Sequence, residues 1–430
     1  MIKSICQIPS IIGSKSQVES RDLVNQYAVD SRNVTPGSLF IALPGERVDG
    51  HSYIEQAKDN GAIAAVVALN YTGDNFGLPL IRVKDPQQAL HTLAQKLVKD
   101  LQAKIIGITG SVGKTTTKNF LATLLSKKFK LMVTPGNQNS QIGMPLAILN
   151  NVTGEEEVLI LEMGMSKPGN ITRLVNIAPP DISVITSVEL AHAANFSSLN
   201  EIAVAKGEIF QHPHTSLGIM PNDINESLTL VEMGDCRKER YSLDSKLGRK
   251  LTKDSRQLFS QAHVQKNLLA ALTVALALGC QYEELAQNFH LLELPLKRQT
   301  KIVKNGVIFI DDSYNACTAS VKEAIHSMPP PVEGRKKIAV LGEMLELGKF
   351  SRDCHAEVGL FAKDRVDAMY CLGNECEHIL NQWNTADKLG LLFHDQGELI
   401  EALRNNIEPG DVVLVKGSSA KKMWQVIEKV

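Results

Sequence analysis

The chain has 430 residues, of which 43% are hydrophobic and 22% are charged, and its 46 Lys and Arg nearly balance its 47 Asp and Glu. This length exceeds what one hydrophobic core fills, so several domains are expected, and the composition excludes an intrinsically disordered chain. The balanced charge predicts no nucleic-acid partner and no attraction to an anionic membrane, so any anion has to be held locally.

The first 84 residues contain short apolar runs separated by turns and by one helical segment. The runs are "SLFIAL", "AIAAVVAL" and "LPLIRV", and the helical segment is "YIEQAKDNGA". Short apolar runs bounded by turn signals indicate buried strands. The pattern predicts a small N-terminal α/β domain over residues 1–84.

The next segment begins with the amphipathic stretch "QQALHTLAQKLVKDLQ", which leads into "AKIIGITG". The strand patterns "EEVLILEMG" and "DISVITSV" follow and alternate with helical stretches, of which "AHVQKNLLAALTVALALG" is rich in Ala and Leu. Strands that alternate with helices are typical of a parallel sheet covered on both faces. We therefore expect a central P-loop-type domain with a mostly parallel sheet over residues 85–299.

A proline and a charge cluster in "LELPLKRQTKI" interrupt this pattern, and a third series of strands follows. Its strands are predicted in "GVIFIDDS", "KKIAVLGE", "VDAMYCLG" and "DVVLVKGS". Each ends in Asp, Gly or Lys, which are residue types found where a parallel sheet presents its ligand-binding edge. The pattern predicts a C-terminal Rossmann-like domain over residues 300–430, and the whole chain is expected to be an α/β protein of three domains.

The segment "ITGSVGKTTTK" at residues 108–118 has the character of a phosphate loop. A strict Walker loop has Gly at the position of Ile108, whereas Gly110, Gly113, Lys114 and Thr115 fit the pattern. Successive backbone N–H groups before a helix form an anion site, to which Lys114 adds a charge and Thr115 a hydroxyl that ligates Mg²⁺. A structural glycine turn is the alternative. The ATP-binding residues predicted in this loop are Thr109, Gly110, Ser111, Val112, Gly113, Lys114, Thr115 and Thr116.

Several polar residues follow predicted strands. Glu162 ends an apolar run, where a carboxylate meets the Mg²⁺ of a nucleotide, although an acidic turn residue is common there. Asp312 is placed to bind a ribose hydroxyl or an incoming amine, and Arg298 lies at the proposed hinge. His192 and Lys206 follow another strand, and the residues alone leave the roles of both undecided.

Taken in order, the motifs "TGSVGKTTTK", "NQNSQIGMPL", "LEMGM", "AKGEIF", "HVQKNLLAA", "DDSYNA", "GEMLELG" and "VKGS" resemble the Mur ligases of bacterial cell-wall synthesis. The segment "DSRNVTPGSLFIALPGERVDGHSYI" is similar to the uridine-nucleotide domain of that family. "IDDSYNA" and "GEMLELG", with the absence of a DNPR signature, favour the branch that adds D-alanyl-D-alanine over the branch that adds the third residue.

The resemblance implies ATP and Mg²⁺ as cofactors and UDP-N-acetylmuramoyl-tripeptide and D-alanyl-D-alanine as substrates, joined through an acyl phosphate. The implied catalytic residues are Lys114, Glu162, His192 and Lys206. Those implied as metal ligands are Thr115, Glu162, His192 and a carbamylated Lys206. Those implied for ATP outside the loop are His263, Asn267, Arg298 and Asp312. Those implied for the substrates are Ser31, Arg32, Asn137, Asn139, Tyr314 and Asn315.

The resemblance also implies a monomer that closes on binding. It has three departures, at Ala193-Ala194, at Cys317-Thr318 and at Ser419, where the family carries other residues. The open alternatives are a sibling or folylpolyglutamate-type ligase that adds one amino acid, and a P-loop regulatory ATPase. No NKxD guanine signature occurs.

The seven cysteines are scattered and form no CxxC pair, which favours a reducing compartment. The chain starts without a signal-peptide pattern and contains no apolar run of transmembrane length. We therefore expect a cytoplasmic protein without a membrane span.

Overall fold

The computed structural model describes residues 4–45 and 48–430, and their strands form three sheets. The strands of the first sheet are β1 (Gln26–Ala28), β2 (Ser38–Ile41), β3 (Ala62–Ala68) and β4 (Leu80–Val83). They are parallel and lie in the order β1-β2-β3-β4. The helices of this part are α1 (Ile8–Ile11), α2 (Ile54–Asp59) and α3 (Pro86–Lys99).

The second sheet has six parallel strands. They are β5 (Lys104–Thr109), β6 (Leu131–Val133), β7 (Val158–Glu162), β8 (Ile182–Ile185), β9 (Leu217–Pro221) and β10 (Arg237–Tyr241). Their order is β10-β9-β8-β5-β7-β6. The helices are α4 (Lys114–Leu125), α5 (Gly143–Asn151), α6 (Asn170–Ile177), α7 (Leu199–Gly207), α8 (Ser227–Glu232), α9 (Lys246–Ser255), α10 (Ala262–Ala277) and α11 (Tyr282–Ala286).

The third sheet also has six strands, one of them antiparallel. They are β11 (Thr300–Lys304), β12 (Val307–Asp311), β13 (Lys337–Gly342), β14 (Ala368–Leu372), β15 (Leu391–Phe393) and β16 (Val412–Lys416). Their order is β11-β12-β16-β13-β14-β15, with β11 antiparallel to β12. The helices are α12 (Thr318–His326), α13 (Ser351–Ala362), α14 (Glu377–Trp383), α15 (Gln396–Asn406) and α16 (Trp424–Lys429).

The central sheet is buried on both faces, which explains its continuous apolar strands. In β7, Leu159 and Leu161 belong to one hydrophobic cluster, whereas Ile160 and Val158 belong to another. Successive side chains of a strand point to opposite faces, so both faces of β7 pack against helices. This arrangement leaves the carboxyl edge of the sheet, where the strand-end motifs lie, as the open edge.

Residues of the first sheet, of α3 and of the second sheet belong to one hydrophobic cluster. Helix α3 begins where Asp85 accepts hydrogen bonds from the N–H groups of Gln87 and Gln88. Asn150 on α5 pairs with the backbone of Tyr27, accepting from its N–H at 2.8 Å and donating to its carbonyl at 2.9 Å. The side-chain amide thus satisfies the backbone of the edge strand β1.

The prediction of three α/β units with mostly parallel sheets is confirmed. The boundaries near residues 84 and 299 stay predictions. Helix α3, which follows the first of them, contacts elements of both the first and the second unit. Within the described ranges, no helix has both the length and the apolar character needed to cross a bilayer.

Candidate functional site

The loop between β5 and α4 depends on two glycines with positive φ. Gly110 has φ 152° and Gly113 has φ 91°. A Cβ at Gly110 would lie 2.0 Å from Thr186 Oγ1, and one at Gly113 would lie 2.3 Å from Asn267 Oδ1. Side chains are therefore excluded at both positions by backbone conformation and by space.

The neighbouring loop after β8 holds this loop in place. Ser111 N–H donates to Ser187 O at 3.0 Å, and Ser111 Oγ donates to Glu189 O at 2.9 Å. Val112 N–H donates to Ser187 Oγ at 2.9 Å. Helix α4 then begins without a capping side chain at Gly113, so the N–H groups of its first turn are free of side-chain acceptors. Such a helix start is an anion-binding site.

Lys114 folds back over the loop. Its Nζ donates to Gly110 O at 2.6 Å and lies 3.4 Å from Ser111 O. Burial lowers the pKa of Lys114, and the nearby Glu162 carboxylate opposes this shift. The ammonium group thus already lies at the loop that would receive a phosphate.

Glu162 at the end of β7 is held by three side chains. Its Oε2 accepts from Thr115 Oγ1 at 2.9 Å and lies 3.4 Å from Lys118 Nζ, while Oε1 accepts from Asn139 Nδ2 at 2.7 Å. Burial lowers the pKa of Lys118, and Glu162 opposes this shift too. The carboxylate is therefore fixed beside the first hydroxyl of α4.

The arrangement of Thr115 and Glu162 fits a Mg²⁺ ion. Both are oxygen donors, which Mg²⁺ prefers, and this ion is usually bound by one or two carboxylates together with waters and phosphate oxygens. Among the residues described, no group of three or more His, Cys, Asp or Glu forms a dedicated metal cage. The donors present thus suit a cation that arrives with a nucleotide.

His192 joins the central unit to the third one. It has φ 56° and its Nδ1 forms a hydrogen bond with Glu346 Oε2, while Ala194 N–H donates to Glu346 O at 2.9 Å. Burial lowers the pKa of His192, and the hydrogen bond to Glu346 opposes this shift. A Cβ at Gly348 would lie 2.8 Å from Ala194 Cα, so two small residues allow the segments to approach.

Lys206 near the end of α7 is only 2% exposed. No oxygen of the described residues accepts a hydrogen bond from its Nζ. Burial places its pKa well below the usual value, and the charge of Lys114 acts in the same direction. A buried, unpaired amine of this kind is neutral and nucleophilic over a wider pH range than an exposed lysine.

The hinge segment before β11 contributes one cation, and the third unit contributes a second cation and a carboxylate. Arg298 donates to Thr115 Oγ1 at 3.1 Å, and its guanidinium lies 4.2 Å from the ring centre of Tyr314. Lys416 donates to Asp312 Oδ2 at 2.6 Å and to Asn315 O at 2.8 Å. The ends of β12 and β16 thereby face the phosphate loop across one cleft.

Helix α10 lies beside the phosphate loop and forms a further side of the cleft. His263 Nδ1 lies 2.9 Å from Glu323 Oε1 on α12, and this hydrogen bond lowers the pKa of Glu323. Asn267, one turn further, lies against Gly113. The cleft is therefore lined by polar groups from both the central and the third unit.

These residues enclose a cavity of about 620 Å³. The predicted site residues that line it are Ser111, Val112, Gly113, Lys114, Thr115, Thr116, Asn137, Asn139, Glu162, His192, His263, Asn267, Arg298, Asp312, Tyr314 and Asn315. The predicted residues outside its lining are Thr109, Gly110, Lys206, Ser31 and Arg32.

Ser31 and Arg32 lie in the first unit and have local partners. Ser31 Oγ donates to Gln56 Oε1 at 2.6 Å, and Arg32 pairs with Asp30 at 2.6 Å. Their predicted role toward a UDP-sugar therefore stays a prediction, separate from the cavity that the other two units form.

Sequence reasoning missed four residues that organise the site: Lys118, Glu323, Glu346 and Lys416. Lys416 ends a strand that was singled out, and Glu346 lies in "GEMLELG", so both had a signal. Lys118 ends the quoted loop segment, but nothing there indicated its partner Glu162, which is distant in the sequence. Glu323 lies on a helix with no such signal, and its partner His263 is also distant in the sequence.

Three family models match successive parts of the chain. They are "Mur ligase family, catalytic domain" at residues 24–97, "Mur ligase middle domain" at 108–275, and "Mur ligase, glutamate ligase domain" at 297–419.

Curated relatives match over nearly the whole length. A UDP-N-acetylmuramoyl-tripeptide–D-alanyl-D-alanine ligase of Bacillus subtilis is 30% identical, covering 99% of this chain and 97% of the relative. A protein with the same name from Treponema pallidum is 33% identical, covering 90% of this chain and 90% of the relative. Another from Escherichia coli is 30% identical, covering 99% of this chain and 97% of the relative.

Solved structures agree with these matches. MurF from Acinetobacter baumannii superimposes with a TM-score of 0.86 at 24% identity, covering 99% of this chain and 98% of that one, which supports the fold. MurF ligase from Thermotoga maritima in complex with ADP gives a TM-score of 0.77 at 28% identity, covering 94% of this chain and 97% of that one.

Proposed function

The chain belongs to the Mur ligase family, and from this premise we propose that it is the ATP-dependent ligase that joins D-alanyl-D-alanine to UDP-N-acetylmuramoyl-tripeptide. The products are UDP-N-acetylmuramoyl-pentapeptide, ADP and phosphate, and the reaction belongs to peptidoglycan precursor synthesis. The observation that carries this proposal is the cavity between the phosphate loop and the strand ends of the third unit. ATP use is supported by the ADP complex of the Thermotoga relative.

The chemistry requires two steps. The terminal carboxylate of the tripeptide attacks the γ-phosphorus of ATP, which releases ADP and forms an acyl phosphate. The amine of D-alanyl-D-alanine then attacks the acyl carbon, a proton leaves the nitrogen, and phosphate departs. Positioning and charge neutralisation are the contributions expected of the protein, as in other phosphoryl transfers.

We assign roles to the residues from the family resemblance and, for those that line the cavity, also from their places in it. Lys114 and the first turn of α4 would hold the phosphates, and His263 and Asn267 would lie beside the adenine. Arg298 and Asp312 would reach the phosphates and ribose from the hinge and from the third unit. Asn137 and Asn139 with Ser31 and Arg32 would contact the UDP-sugar substrate, and Tyr314 and Asn315 would lie on the acceptor side.

Thr115 and Glu162 would bind a first Mg²⁺, and His192 with a carbamylated Lys206 would bind a second. The ions would supply positive charge that offsets the phosphates during transfer. The free, buried Lys206 amine is suited to carbamate formation, since an unmodified ammonium is a poor metal ligand. Carbamylation and both metal sites are part of this proposal.

We further propose that the three predicted domains, 1–84, 85–299 and 300–430, close around the substrates, and that the protein acts as a cytoplasmic monomer. All seven cysteines are free in the structure, which is compatible with a reducing compartment. Light scattering of the purified chain with and without nucleotide would test the monomer.

The function is tested with purified protein, Mg²⁺, ATP, UDP-N-acetylmuramoyl-tripeptide and D-alanyl-D-alanine, measuring ADP release and the mass of the UDP-linked product. The expected mass gain is one dipeptide. A product that gains one amino acid when single amino acids replace the dipeptide would favour a sibling or folylpolyglutamate-type ligase. ADP release that ignores every small acceptor would favour a regulatory ATPase, and no ADP release at all would refute ligase activity.

A further inference from the structure

Lys118 is a buried lysine that the reaction described above does not use. It lies one turn after Lys114 on α4, and only 1% of it is exposed. Lys114 lines the cavity, whereas Lys118 does not. The Lys118 side chain is therefore not part of the cavity wall to which Lys114 belongs.

The Nζ of Lys118 has three oxygen neighbours from two other elements. It donates to Thr134 O at 2.7 Å and to Gly136 O at 2.6 Å, both in the loop after β6. It also lies 3.4 Å from Glu162 Oε2 at the end of β7. One ammonium group thus joins α4, β7 and the loop that carries Asn139.

These contacts orient Glu162 before any ligand arrives. Asn139 donates to one carboxylate oxygen, and Thr115 and Lys118 lie at the other. Burial removes the solvation of both the ammonium group and the carboxylate, and removing either ion leaves the other as an uncompensated buried charge. Thr134 extends this network, because its Oγ1 accepts from Glu162 N–H at 3.0 Å.

We propose that Lys118 is a positioning residue, which holds the Glu162 carboxylate and the 134–139 loop in the geometry that binds the nucleotide-linked divalent cation. The proposal rests on the proposed function only in that Glu162 serves as a metal ligand. Groups that hold a metal ligand from behind typically change metal affinity by about 10- to 100-fold when they are removed.

The test is calorimetric titration of ATP into the full chain, once in EDTA and once in Mg²⁺, for the parent and for Lys118→Met. We expect the variant to keep the metal-free affinity and to lose about 10- to 100-fold of the Mg²⁺-dependent gain in ATP affinity. Lys130→Met is the matched control, because Lys130 pairs with Glu155 in an exposed ion pair, and it should keep the full gain.

Equal losses with and without Mg²⁺ would show a general structural role and would overturn the proposal. If Mg²⁺ raised the ATP affinity of Lys118→Met more than that of the parent, the proposal would be overturned as well. The lysine would then act only by repelling the cation. If Lys118→Met does not fold, the double variant Lys118→Met with Glu162→Gln decides, because removing both charges should restore folding. A double variant that stays unfolded would refute the pairing. Ligase turnover of the parent, measured on the same preparation, tests the proposed function separately.

Discussion

Gly113→Ala tests the requirement for a bare backbone at the phosphate loop. Gly113 has φ 91°, and a left-handed conformation costs an alanine about 1 to 2 kcal/mol. The added Cβ would also lie 2.3 Å from Asn267 Oδ1, about 1 Å closer than an ordinary contact. Either Asn267 or the loop therefore has to move away from its present position.

The size of the effect follows from that displacement. A shift of about 1 Å at a group that positions a substrate lowers the rate by roughly 100-fold, which corresponds to about 2.7 kcal/mol of transition-state free energy. We expect kcat/KM for ATP to fall by this factor. The measurements are the coupled ADP-release assay and calorimetric titration with ATP in Mg²⁺.

Gly279→Ala is the matched control. Gly279 has φ 83°, similar to Gly113, but a Cβ there would have no heavy atom within 4 Å. In the control, the left-handed backbone conformation should therefore lower the unfolding free energy by about 1 to 2 kcal/mol. The affinity of the control for ATP should stay that of the parent. If Gly113→Ala kept the ATP affinity and kcat/KM of Gly279→Ala, the glycine requirement of the loop would be refuted.

Three further changes test other parts of the site. Lys114→Ala should remove about 3 to 5 kcal/mol of transition-state stabilisation, and near-normal turnover in the ADP-release assay would contradict the phosphate role. Lys206→Ala should be inactive and should recover partly when short carboxylic acids are added, whereas turnover that no acid restores would leave the carbamate without support. Glu323 has a pKa below its usual 4.5 because His263 donates to it, so its stabilising effect is present above that value and is lost as the pH falls through the lowered pKa. The melting temperature of the parent should accordingly exceed that of Glu323→Gln at about pH 6, and the difference should shrink as the pH falls below 4.5 and through the lowered pKa of Glu323. A constant difference would contradict the assignment.

The strands that the sequence predicted are those with strong local patterns. The runs around β3, β5, β7, β12 and β16 are continuous and apolar, because each is buried on both faces of a parallel sheet. The strands that sequence reasoning did not anticipate are β1, β6, β9, β10, β11 and β15. Three of these have only three residues, and β10 reads "RKERY" at a sheet edge, where one face meets solvent.

The sequence by itself determined the phosphate loop, the order of the three α/β units and the acidic end of β7, because each depends on residues adjacent in the chain. Only the tertiary structure decided which of the candidate residues meet in one cavity. Arg298 donates to Thr115, 183 residues away, and Lys416 reaches Asp312, 104 residues away. The tertiary structure also places Lys118 beside Glu162. Among the described residues, no oxygen accepts a hydrogen bond from Lys206. The physical reason is that a buried charge is stabilised by partners brought close through packing, and no local pattern of residues specifies those partners.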